Sequence, residues 1–143
     1  PKLLQLEITE GSVRGNFDQI KNVLNELANL GIQIAIDSFG SGFSSLGQLQ
    51  HLPLSKLNID HSFVQEITND SKDTAIIRSI IATAHNLGLR VVAEGVETER
   101  QRSFLKVHGC DFIQGYHFNQ PASADEMSEF LEQESVQQAS SDP

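Results

Sequence analysis

Hydrophobic positions along the chain follow two periods that alternate. After Asn16, the residues Phe17, Ile20, Val23, Leu24, Leu27 and Leu30 recur at helical spacing, and Gly31 closes the run. Ile32 to Asp37 follows as a strand. Asn16 with Gln19 reads as a capping box, in which two side chains satisfy orphan N–H groups. The pattern returns from about Asp70: Ile76, Ile77, Ile80, Ile81, Ala84 and Leu87 form a stripe, Gly88 ends it, and Leu89–Glu94 reads as a strand. Thr98 and Gln101 predict a second box, before a helix whose Phe104, Leu105 and Val107 face the core up to Gly109. Cys110–Gln114 is the next strand, and Ser123 with Glu126 caps a last helix through Met127, Phe130 and Leu131. Leu3–Glu7 and Lys56–Asp60 complete five strands. The polar run from Gln133 to Pro143 is expected to be a disordered tail, leaving residues 1–132 as the folded part.

Strands that alternate with helices predict parallel βα units. The strand faces add to this, because residues two apart share a face. Ile32, Ile34 and Ile36 oppose Gln33, Ala35 and Asp37; Leu57 and Ile59 oppose Lys56, Asn58 and Asp60; Val91 and Ala93 oppose Arg90, Val92 and Glu94. One face is aliphatic and packs under helices, while the other turns polar toward its C-terminal end. A doubly wound sheet, covered on both faces, would read as near-continuous apolar runs. A barrel with a polar mouth fits better.

Composition narrows the function. The 143 residues carry 10 Lys+Arg against 19 Asp+Glu, a net charge of −9, which argues against nucleic-acid binding through bulk charge and against an electrostatic membrane anchor. Cys110 is the one cysteine, so internal disulfides and paired-cysteine metal sites are excluded, and a reducing, cytoplasmic setting is expected. No apolar run nears the ~20 residues that span a bilayer. The chain opens at Pro1 without a Met, so an upstream part of the same polypeptide is expected.

Each strand ends on a polar group: Glu7, Asp37, Asp60, Glu94 and Gln114. In parallel α/β barrels, these ends and the loops after them carry the active site. Converging carboxylates repel unless a positive species lies between them, and a hard divalent cation such as Mg²⁺ or Mn²⁺ prefers oxygen ligands. The competing reading is that such acids cap helices or pair with bases. The loop from Asp37 to Leu46 contributes two glycines that permit close approach of a ligand. The five histidines show no metal-binding spacing.

The run Leu6-Glu7-Ile8-Thr9-Glu10, the IDSFGSGFSSL loop, LNIDHSFV (Leu57 to Val64), VVAEGVET (Val91 to Thr98) and GCDFIQGYHF (Gly109 to Phe118) followed by Pro121 resemble, in that order, the EAL-domain family. Its members are phosphodiesterases specific for cyclic di-GMP and their degenerate relatives. The resemblance implies a modified TIM (β/α)₈ barrel, of which this chain supplies about the last five βα units, and a site that uses two divalent metals to hydrolyse cyclic di-GMP to pGpG. By resemblance, Glu7 and Asp37 are first-metal ligands, Glu94 is a second-site carboxylate, Gln114 lies near metal-bound water, and Glu97 steadies the glycine-rich loop. Phe39, Gly40, Ser41 and Gly42, with Asp60, belong to the loop and substrate positions. The related loop also implies a possible homodimer.

Three departures matter. Ser38 stands where the family has a second aspartate, and a hydroxyl supplies no charge for a second metal. Asn58 stands where the family has its catalytic lysine, and an amide is neither cation nor proton carrier. Lys56 shares that face but lies one strand pair lower, about 6–7 Å along the strand. The glutamate of the Glu-Ala-Leu signature lies upstream of Pro1 if it exists. The expectation is a domain that has lost hydrolysis and serves as a cyclic di-GMP receptor or regulatory module. The alternatives are an active metal-dependent phosphodiesterase and a protein-interaction module that binds no nucleotide.

Overall fold

A computed structural model describes residues 3–14, 16–39, 46–67 and 71–140. Its five strands are β1 (Gln5–Thr9), β2 (Gln33–Phe39), β3 (Lys56–Ile59), β4 (Arg90–Ala93) and β5 (Phe112–Ile113). All pair in parallel, in the order β1-β2-β3-β4-β5. That order is what successive barrel strands require, whereas a doubly wound sheet reverses order at a switch point. The helices are α1 (Phe17–Asn29), α2 (Leu46–Leu49), α3 (His61–Gln65), α4 (Ser71–Asn86), α5 (Glu99–Val107) and α6 (Ala124–Ser140), with a 3-10 turn over Glu10–Arg14.

The core lies on the aliphatic face of the sheet. Ile34, Ile36, Leu57, Ile59, Val91 and Ala93 are fully buried there, covered by Leu24 of α1, by Ile77, Ile80, Ile81 and Ala84 of α4, and by Leu105 of α5. Strand alternation thus separates an apolar side under helices from a polar side that is free to carry a site. The three helix-ending glycines, Gly31, Gly88 and Gly109, all take positive φ, as expected.

Several boundaries move. β1 starts at Gln5, where pairing with Gln33 begins, and runs through Thr9, while Leu3 is wholly exposed. β5 shrinks to two residues because only Val92 and Ala93 of β4 reach it. The Thr98–Gln101 capping box forms, and Ser123 and Glu126 bond reciprocally at the start of α6. Asn16 does not close a box: its side chain bonds the Gln19 side chain and no backbone N–H. Val107 is 80% exposed and not a core residue, since Leu105 already fills the inward position of the short α5. The polar segment from Gln133, expected to be disordered, is helical as far as Ser140. Its Glu, Gln and Ala residues are good helix formers.

Leu57 stands at the centre of this packing with no exposed surface. Leu57→Ala is expected to destabilise the fold by about 2–5 kcal/mol through lost burial and a residual cavity. Urea unfolding followed by circular dichroism checks this.

Candidate functional site

The polar face of the sheet gathers the predicted acids. β1 presents Glu7, β2 presents Asp37, and the residue after β4 is Glu94. Ladder pairing sets Glu7 beside Ala35 and Thr9 beside Asp37, so the first two acids rise to one end of the sheet. Glu7, Asp37 and Glu94 each offer an oxygen within 4.8 Å of the others. Asp60 is not among them. It caps α3 instead, its Oδ1 accepting from the Ser62 N–H at 2.8 Å, which is the competing role weighed for strand-end acids. The Ser62 side chain and then this backbone bond, with smaller contributions from Ser38 and His61, hold its carboxyl below the ordinary range.

Asn58 of β3 lies between two of the three acids and is 1% exposed. Its Nδ2 donates to Glu7 Oε1 at 3.1 Å and to Glu94 Oε1 at 2.9 Å. Ionised carboxylates only accept, so the amide must turn its NH₂ toward them. The cost is that Asn58 Oδ1 is buried without a donor. Burial raises the Glu94 carboxyl above its ordinary value, the charges of Asp37 and Glu7 raise it further, and the Asn58 bond works in the opposite direction.

Ser38 sits at a break in the ladder, where the β2–β3 register shifts between Ile36 and Phe39. Its φ is 53°, a left-handed conformation that Asp and Asn accept more readily than serine. Its Oγ donates to Asp37 Oδ1 at 3.1 Å. Ser38 therefore has the backbone geometry of a bulge beside Asp37.

Glu94, Glu97 and Gln114 line an open cleft of about 430 Å³ together with His61, Gln65 and Tyr116. The Gln114 N–H donates to the Ala93 carbonyl, and its own carbonyl accepts from the Val96 N–H, so the backbone fixes its place. Glu97 is anchored through its backbone N–H to Gln101 Oε1 at 2.8 Å. Next to Gln114, a side chain on Gly115 would meet the Val96 backbone at 2.2 Å, and only glycine fits. Phe39 ends β2 and packs partly buried against the core, while Gly40, Ser41 and Gly42 lie outside the described residues.

Sequence reading passed over Gln5. Its Nε2 donates to Glu7 Oε1 at 3.0 Å, and its Oε1 accepts from Lys56 Nζ at 2.6 Å. The signal was available, since both residues stand on the polar faces that carry Glu7 and Asn58.

The three carboxylates form a set of hard oxygen donors. Oxygens on opposite sides of an ion sit about 4.2 Å apart around Mg²⁺ and about 4.6–5.2 Å apart around Ca²⁺. The three carboxylate oxygens lie within 4.8 Å of one another, close enough to surround one such ion, so the residues fit a divalent cation.

The parallel order, the polar strand ends and the acid cluster define a TIM-barrel-like α/β domain with a candidate cation site. The EAL domain model matches residues 1–121, and the chain belongs to the EAL-domain family. It is 44% identical over 128 residues to the cyclic di-GMP phosphodiesterase NbdA of Pseudomonas aeruginosa, covering 90% of this chain and 16% of NbdA. Among solved structures, the PaMucR phosphodiesterase in complex with c-di-GMP shares 42% identity at a TM-score of 0.84, over 89% of this chain and 51% of that one. A manganese and cy-diGMP complex of Klebsiella pneumoniae BlrP1 shares 36% identity at a TM-score of 0.74, over 81% of this chain and 30% of that one. The chain thus spans about a sixth of NbdA and half of the MucR structure. Among the described residues, no helix is long and apolar enough to cross a membrane.

Because Glu94 binds its proton more tightly in the folded state than at its ordinary value of 4.5, its ionisation costs stability as pH rises through the elevated range. Glu94→Gln removes that cost. In EDTA it is expected to raise the urea midpoint at pH 7, with the advantage shrinking as pH falls toward 4.5.

Proposed function

We propose that residues 1–132 form the later strands of an EAL domain that binds cyclic di-GMP with a divalent cation and acts as a receptor or regulatory module with hydrolysis lost. The observation that carries this reading is Asn58, a neutral amide buried between Glu7 and Glu94. Glu7, Asp37 and Glu94 would hold the cation, Mg²⁺ or Mn²⁺. When bound, such an ion would offset most of the charge of the three carboxylates and polarise a phosphoryl oxygen. The ligand class is supported by MucR and BlrP1, whose structures hold c-di-GMP, and by the manganese in BlrP1.

Within this reading, Asn58 holds Glu7 and Glu94 in place but delivers neither charge nor proton to a phosphodiester. Ser38 orients Asp37 by a hydrogen bond and adds no charge. Gln114 and Glu97 line the cleft with Glu94; in this reading Gln114 serves beside the metal-bound water and Glu97 steadies the glycine-rich loop. The upstream part of the polypeptide would complete the barrel.

The intact geometry of Glu7, Asp37 and Glu94 favours a second reading, an active phosphodiesterase. Calorimetry and product chromatography on the full-length protein separate the two. Micromolar or tighter binding of cyclic di-GMP in Mg²⁺, with no pGpG formed, is expected. Asn58→Lys is then expected to bring pGpG formation above detection, since one preorganised electrostatic group contributes about 10²–10³-fold to a rate. Clear turnover by the unaltered protein, abolished in Glu94→Ala, establishes the enzyme instead. Failure to bind nucleotide with or without metal leaves the interaction module.

A further inference from the structure

Below the carboxylates, the polar face carries a second layer of side chains whose role the site does not yet explain. Lys56 and Arg90 are ladder partners on β3 and β4. The Lys56 ammonium and the Arg90 guanidinium each lie 5.2 Å from the centroid of the Phe112 ring. Lys56 Nζ also donates to Gln5 Oε1 at 2.6 Å, the shortest link in this region, and Gln5 Nε2 donates to Glu7 Oε1 at 3.0 Å.

The direction of this chain of bonds is fixed. An ammonium has donors only, so it must take the carbonyl end of Gln5. The NH₂ end of Gln5 then has to face Glu7, with no freedom to flip. Glu7 Oε1 receives a second donor from Asn58 Nδ2. Both of these hydrogen bonds to Glu7 fall on Oε1, so they fix the carboxylate through one of its two oxygens. Glu7 is the most exposed of the three acids and needs such a brace more than Asp37 or Glu94, which are partly buried.

We propose that Lys56 is a positioning residue which, through Gln5, holds Glu7 in its orientation for a hard divalent cation. The inference rests on the cation reading of the cluster given above. It differs from a Coulombic role in sign. A positive charge near a cation site opposes binding, so a Lys56 that acted by charge alone would weaken cation affinity, and its removal would tighten it. A Lys56 that acts by positioning strengthens affinity, and its removal loosens it.

Manganese titration of the full-length protein, read by the electron paramagnetic resonance of free Mn²⁺ without nucleotide, separates these outcomes. Lys56→Met keeps the aliphatic stem over Phe112 and removes the donor. Gln5→Leu cuts the link and leaves Lys56 in place, so it carries the test alone should Lys56→Met not fold. Each is expected to weaken Mn²⁺ binding by about 10-fold or more, the scale seen when a partner of a metal ligand is lost. The double variant is expected to be no weaker than the weaker single, because both interrupt one chain of bonds. The urea midpoint in EDTA should stay close to that of the unaltered protein. Unchanged or tighter binding in the single variants overturns the relay, as do losses that multiply in the double variant. If the unaltered protein binds no Mn²⁺, or binds it equally after Glu7→Ala, the cation reading itself falls and the relay with it.

Discussion

Three carboxylates brought within 4.8 Å of one another dominate the polar side of this sheet, and the neighbouring side chains answer their repulsion. At an effective dielectric near 20, two unit charges about 4–5 Å apart interact by roughly 4 kcal/mol, comparable to a large part of a domain's net stability. The described protein groups meet this with hydrogen-bond donors: the Asn58 amide toward Glu7 and Glu94, the Gln5 amide toward Glu7, and the Ser38 hydroxyl toward Asp37. All of these donors are neutral. The nearest cation of this layer, Lys56, reaches the acids through Gln5. The compensation is therefore incomplete: burial first, and then the charges of Asp37 and Glu7, make the Glu94 carboxyl keep its proton to higher pH. A divalent cation completes what neutral donors leave unfinished.

The sheet makes this arrangement possible by dividing its two faces. Ile34, Ile36, Leu57, Ile59, Val91 and Ala93 hold the helices on one side, and their alternation dictates that Glu7, Asp37 and Asn58 share the other. Packing and chemistry are thus set by one two-residue period. A slip of one residue in β3 would exchange Asn58 with a core position, so the buried amide and the buried Leu57 and Ile59 enforce the same register.

Much of this was legible in the sequence because it depends on periods and residue types. The α1, α4 and α5 helices and the Thr98–Gln101 box appear as read, although Val23, Leu30, Ile76 and Val107 of their apolar stripes are exposed. Element ends were less legible, because they depend on partners: β5 is short since little of β4 pairs with it, and Asn16 prefers Gln19 to the backbone. Asp60 shows the limit for a single acid. Its position matches the other strand ends, yet the helix that begins one residue later claims its carboxylate. Ser38 shows the limit for backbone: a positive φ at a non-glycine residue leaves no mark on hydrophobic pattern. The Lys56–Gln5–Glu7 chain joins residues far apart in sequence, and only the register of the strands brings them together.

The sequential order of the strands has a consequence for how the protein comes into being. Ribosomal synthesis delivers β1 and β2 first, with Glu7 and Asp37, while the amide on β3 and the last acid after β4 emerge later. As the strands join in that order, each adds aliphatic side chains to the buried face. On the opposite side, charge accumulates at the same time, and the final acid joins a cluster that already repels it. Assembly of this segment is pulled forward by one face of its sheet and resisted by the other, and the resistance is greatest at the step that finishes the acid cluster.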